Sequence, residues 1–202
     1  GDVRSSFALD ATVVRHEYTH FVIDQIMPVV NFGQHGALSE ALADYFSASS
    51  LDLSTIGGFT GAQFGHGSLR ELDCPGRTAC VLFPAQWTGT IHEDSRMVSQ
   101  ALWSIRTFLS GGGVLGPVNG KTCSDGLVFG ALFFYPDSFA DFKLAMETVS
   151  NRSATTVPAC GNNGAQTAVG QRFFADHGIP AGGDQDAYEP NDGIASATDI
   201  TT

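Results

Sequence analysis

His16-Glu17-Tyr18-Thr19-His20 is the stretch on which the reading of this chain turns. Read as a helix, it places the two histidines one turn apart, at i and i+4. Both rings then project from one face and can share one metal ion. Glu17 lies beside the first of them, placed to reach a water at that ion rather than the ion itself. The surrounding pattern supports a helix over 11–27. Val13, Val14, Tyr18, Phe21, Val22 and Ile26 recur with helical period, Asp10 lies in the N-cap region, and Pro28 ends the run.

A second helix is expected over 36–49, with Leu38, Leu42, Tyr45 and Phe46 on its apolar face. Glu40 and Asp44 are also i and i+4, so they share a face. Glu40 can complete a His₂Glu zinc site that keeps a fourth position for water. Asp44 can accept the free ring N–H of a ligand histidine and so fix its tautomer.

His-Glu-Tyr-Thr-His, nineteen intervening residues, then Glu40 within Gly36-Ala37-Leu38-Ser39-Glu40-Ala41-Leu42-Ala43-Asp44 resembles the gluzincin metallopeptidases, thermolysin-like and fungalysin-like. The metzincin pattern would place glycine and histidine where Ile23 and Ile26 stand, and the gluzincin aminopeptidases usually place their Glu at Ser39. The resemblance implies one Zn²⁺ per chain on His16, His20 and Glu40, with Asp44 behind the ligands. It implies peptide hydrolysis by a metal-activated water, with Glu17 as general base and acid. The segment Gly89 to Arg96 resembles the one whose histidine stabilises the oxyanion, which gives that role to His92. Leu69-Arg70-Glu71 resembles the loop whose Arg holds a substrate carbonyl. Where thermolysin has an oxyanion-binding Tyr and an orienting Asp, this chain has Asn31 and Trp87. Asn31 can still donate to substrate; Trp87 cannot accept. Thermolysin's acidic calcium cluster is not reproduced around Thr12 and Leu51, so Ca²⁺ has no support beyond the family likeness and the fungalysin-like branch fits better.

The 202 residues suffice for one domain with a sizeable core. Net charge is −11, which argues against nucleic acid or an anionic membrane as partner. The longest apolar run, Leu127 to Tyr135, is too short to span a bilayer. Cys74, Cys80, Cys123 and Cys160 contain no C-x-x-C pair. Of three possible pairings we favour Cys74–Cys80 and Cys123–Cys160, against four reduced cysteines. Two bridges imply an oxidising, secreted or extracellular setting.

The fold expected is mainly α, a zincin-type helical lobe with long irregular loops. The stretch 50–89, rich in Gly, reads as loops. Further helices are expected over 93–109, 124–134, 137–150 and 165–177, with a break at Pro136. His35, His66 and His177 fall in no motif and read as structural or surface residues. Residues 1–179 form the metallopeptidase lobe and 180–186 a Gly/Asp-rich linker. Residues 187–202, with Tyr188-Glu189-Pro190-Asn191-Asp192, resemble the start of a bacterial pre-peptidase C-terminal domain, the other reading being a disordered acidic tail.

Residue 1 does not look like a natural start. Fifteen residues before His16 are too few for the β-rich lobe that precedes this motif in the gluzincins. The expectation is a C-terminal lobe, poorly active alone, whose full-length protein carries an N-terminal lobe or propeptide. Its partner is a protein or peptide substrate. Two rivals remain: a non-catalytic secreted module with a metal-stabilised core, and a zinc hydrolase of a non-peptide bond.

Overall fold

A computed structural model describes residues 6–28, 30–75, 79–111, 115–152, 157–160 and 165–180. The expectations for residues 181–202 lie outside it. The described chain is mainly helical, as expected. Its helices are α1 (Ala11–Asp24), α2 (Gly33–Leu51), α3 (Gly58–Gln63), α4 (Ile91–Asp94), α5 (Arg96–Ser110), α6 (Gly116–Leu132), α7 (Phe139–Asn151) and α8 (Ala165–Gly170). A π-helical stretch, Gln171–Asp176, follows α8 directly. The strands β1 (Thr55–Ile56) and β2 (Arg70–Glu71) pair antiparallel, Thr55 opposite Glu71.

Helix α2 is the axis. Every residue from Gly36 to Tyr45 is buried, because α1, α4, α5 and β1 pack around it. A helix buried on all sides tolerates polar groups only where they are paired. Gly36 permits the closest of these approaches. A Cβ there would lie 2.9 Å from the Asn31 carbonyl carbon and 2.9 Å from Ile91 Cγ2, so α4 and the His92 it carries sit close because position 36 has no side chain. The remaining core lies on the far side of α2. Leu102 and Ile105 of α5, Leu127 and Val128 of α6, and Phe142 and Met146 of α7 form one cluster with Leu38 and Leu42.

The seam between α1 and α2 is polar. Ser47 Oγ donates to the Thr12 carbonyl at 2.6 Å, and Arg15 Nη1 donates to Ser50 Oγ at 2.7 Å. His16 Nδ1 lies 2.8 Å from Asp44 Oδ1, and His20 Nδ1 lies 3.1 Å from Ser39 Oγ. From Thr12 through His16 to His20 the partners descend α2 as Ser47, Asp44 and Ser39, so the helices run antiparallel; the long Arg15 side chain reaches back to Ser50.

Asp10 caps α1, as its position predicts. Oδ1 accepts from the Thr12 main-chain N–H at 3.0 Å, and Oδ2 accepts from the Thr60 N–H at 2.9 Å, anchoring α3. Burial pushes the Asp10 carboxyl up, but hydrogen bonds from Thr12 and Thr60 outweigh it and hold the group below its usual 3.8. Asp10→Ala is expected to cost about 1–2 kcal/mol in denaturant unfolding near neutral pH. The folded value is the lower one, so this stabilisation is complete above 3.8 and fades as pH falls through the folded value. Wild type and variant should converge in acid.

Boundaries differ from the sequence reading at several places. Helix α2 begins at Gly33 rather than 36, and α6 begins at Gly116 rather than 124. The expected helix over 93–109 is two pieces, α4 and α5, broken at Ser95. The stretch 50–89, expected as irregular loops, also holds β1, α3 and β2. Both favoured disulfides form, Cys74–Cys80 and Cys123–Cys160.

Candidate metal centre

Three side chains from α1 and α2 meet at one point. His16 Nε2 lies 3.1 Å from His20 Nε2 and 3.2 Å from Glu40 Oε2, and His20 Nε2 lies 3.3 Å from Glu40 Oε1. Zinc–ligand bonds of ~2.0–2.2 Å at tetrahedral angles put donor atoms roughly 3.3 Å apart. The His16–His20 separation matches one such edge, and the two Glu40 oxygens each stand about one edge length from one of the histidines. Glu40 Oε2 supports the same reading: it is buried and forms no hydrogen bond among the described residues, although His16 and His92 nitrogens stand near it. A carboxylate oxygen buried among imidazole nitrogens is the environment a divalent cation satisfies, and the donor set fits Zn²⁺.

Electrostatics agree. Burial opposes a charged His16 ring, but the Asp44 and Glu40 carboxylates outweigh it and push its pKa up to about 9. Burial also opposes ionised Glu40, and contacts with His16 and His20 overcome it, holding the carboxyl far below its ordinary range. The cluster is thus built around a positive charge, which a proton or a cation can supply. A ligand nitrogen must be deprotonated, so a metal has to displace that proton.

Behind the cluster lies Asp44, fully buried. Its Oδ1 faces His16 Nδ1 at 2.8 Å, which fixes the proton there and leaves the Nε2 lone pair able to ligate. Arg70, on β2, donates Nε to Asp44 Oδ2 and Nη2 to Oδ1, both at 2.7 Å. The resemblance gives Arg70 to a substrate carbonyl; the structure shows this fork engaged with Asp44. Ser39, singled out in the sequence only as a family contrast, hydrogen-bonds His20 Nδ1 at 3.1 Å and so helps hold that ring in place. Its one legible signal is adjacency to Glu40 on a buried helix.

An open cleft of about 610 Å³ borders the cluster, lined by Val13, Val14, Ile56 and Leu69 together with His16, Glu17, Arg70 and His92. Glu17 is exposed there and does not belong to the converging set. His92 reaches over from α4, its Nε2 3.4 Å from Glu40 Oε2 and its side chain 58% exposed. Asn31 is exposed before α2, and no hydrogen bond among the described residues ties its side chain to the cluster. Trp87, half-buried, packs edge-on against Phe83 and Phe139 at the margin of the core.

Comparison with solved structures finds the precursor of protealysin, a metalloproteinase from Serratia proteamaculans. The match has a TM-score of 0.64 at 18% identity, and covers 86% of this chain and 59% of that one. The chain therefore spans less than two thirds of that neighbour. At this identity the likeness is one of fold: a helical lobe of the metalloproteinase type. No protein-family model matches the sequence, and no curated protein matches it.

Proposed function

We propose that this chain is the zinc-carrying lobe of an endopeptidase. The observation that carries the reading is the convergence of His16, His20 and Glu40 within 3.1–3.3 Å of one another, with Glu17 beside them in the cleft yet outside the set. A Zn²⁺ held by those three residues would polarise the scissile carbonyl and acidify water. Glu17, with a free carboxylate facing the cleft, takes the proton of the attacking water and passes it to the leaving amine. His92 donates a hydrogen bond to the carbonyl oxygen as charge builds on it. Asp44 and Arg70 keep His16 in one tautomer and one orientation.

The substrate is a protein or peptide, and the apolar walls made by Val13, Val14, Ile56 and Leu69 suit an apolar side chain. The outer face of α1 exposes Val14, Tyr18 and Phe21 at helical spacing, a surface for a second lobe or propeptide. Two disulfides support secretion. Among the described residues no helix is long and apolar enough to cross a membrane.

Metal analysis together with casein cleavage tests the reading. The expectation is one zinc per chain and hydrolysis that a chelator abolishes, weak for residues 1–202 and stronger when a second lobe is supplied. Zinc retained in full by His20→Ala would remove the metal assignment. His92→Ala should lower kcat by a factor of ~10²–10³ and leave zinc content unchanged, since it removes a donor felt only in the transition state. Equal loss of zinc would move His92 from catalysis to metal binding.

A further inference from the structure

A second group of metal-ligating atoms lies outside the cleft. Sγ of Cys74, Sγ of Cys80 and a ring nitrogen of His177 all fall within 4.8 Å of one another, and all three residues are buried. His177 follows the π-helical stretch after α8, and its carbonyl accepts from Phe83 N–H at 2.8 Å, which brings the ring against Val81 and Cys74. Its Nδ1 lies 3.2 Å from the Val81 carbonyl. A carbonyl only accepts, so Nδ1 carries the ring proton and Nε2 presents a lone pair. The polar atom facing that lone pair is Cys74 Sγ, at 3.8 Å. A disulfide sulfur has no proton to give, so among the described residues no donor is seen to meet this buried acceptor. An imidazole whose other N–H is fixed by a backbone carbonyl is the arrangement that metal-ligating histidines use.

We propose that Cys74, Cys80 and His177 form a redox-gated site for a thiophilic divalent cation, taken up when the Cys74–Cys80 bond is reduced. A dithiol reductant supplies the two electrons. Its thiolate attacks one sulfur, the Cys74–Cys80 bond breaks, and the reductant closes into its own disulfide while two cysteine thiols are formed. The cation then binds both sulfurs and His177 Nε2, and the two thiol protons leave to solvent. Zinc bonds of ~2.3 Å to sulfur and ~2.0–2.1 Å to nitrogen require an S···N edge of roughly 3.5 Å, close to the separation that Cys74 and His177 already hold. The effect on the fold differs from that of the bridge. The disulfide closes a loop of sequence separation 6, whereas the Cys74–His177 contact joins residues 103 apart. The bound cation would clip the C-terminal helical segment onto this loop while the bridge is absent.

Cadmium is the probe, because its thiolate bonds give an ultraviolet charge-transfer band that the sulfur-free His16, His20 and Glu40 cluster cannot produce. The peptidase reading and this one are therefore scored separately. The full chain, titrated with Cd²⁺ under a phosphine reductant that does not itself compete for the metal, should develop this band with one additional cation per chain. The oxidised chain should not. The reduced Cys74→Ser/Cys80→Ser variant keeps Cys123 and Cys160 and measures whatever those contribute. His177→Gln should weaken Cd²⁺ binding by about tenfold or more. A reduced wild type whose band does not exceed that of the double-serine variant overturns the site. So does a His177→Gln variant that binds Cd²⁺ as tightly as wild type. If His177→Gln fails to fold, the comparison of wild type with the double-serine variant, in which His177 is intact, decides alone.

Discussion

Glu17→Gln is expected to keep one zinc per chain and lose peptide hydrolysis by a factor of ~10²–10⁴. The two halves of that result come from one piece of geometry. Neighbouring positions on a helix point about 100° apart, so Glu17 cannot join His16 and His20 on the face that meets Glu40. The structure has it exposed in the cleft, while the atoms that converge are those of His16, His20 and Glu40. Gln matches Glu in size and hydrogen-bonding reach but cannot hold a transferred proton. Packing and metal should therefore survive, and the chemical step should fail. Zinc analysis and kcat on one preparation check it. Loss of zinc in Glu17→Gln would mean that the base and a ligand have been confused.

Asp44→Ala is expected to be the most damaging single change to the folded lobe. It strands Arg70, whose side chain is only 14% exposed, and it frees the His16 ring. Removing one member of a buried, hydrogen-bonded pair costs about 3–5 kcal/mol, because the remaining charge has neither water nor partner. Removing the group that orients a ligand imidazole costs about 10–100-fold in metal affinity. The two effects separate in a second variant. Asp44→Leu combined with Arg70→Met replaces both charges with apolar volume. Stability should then return toward wild type, whereas zinc affinity should stay low because His16 Nδ1 still lacks its acceptor. Denaturant unfolding and chelator competition measure the two quantities. Recovery of both would mean that Asp44 acts on the metal only through the fold.

The segments of the candidate metal centre were legible because their information is local. Two i,i+4 pairs fix which side chains share a helix face, and the helical period around them is strong. Start sites were less legible. Helix α6 opens with Gly116, Pro117 and Gly120, residues that read as loop, yet Pro in the first turn is a helix start. Gly120 is there for a crossing: a Cβ would stand 2.3 Å from the Leu109 carbonyl oxygen, so α5 and α6 touch through its absence. Strands β1 and β2, two residues each, carry no alternation to detect. The engagement of Arg70 with Asp44 links residues 26 apart, and that of His177 with Cys74 links residues 103 apart, separations over which no periodicity speaks.

The polar seam between α1 and α2 carries a consequence for how the two helices find each other. Apolar helix faces slide, because one turn of displacement exchanges similar contacts for similar contacts. Here a displacement of one turn, about 5.4 Å, would undo the pairings that Asp44 and Glu40 now hold and leave one of these buried carboxylates without a histidine. Misregistered pairing is thus penalised at every rung at once: Thr12 with Ser47, Arg15 with Ser50, His16 with Asp44, His20 with Ser39. The seam works as a key that admits one alignment. The histidines that converge on Glu40 in the finished lobe are also two of the teeth by which the chain recognises that it has folded in register.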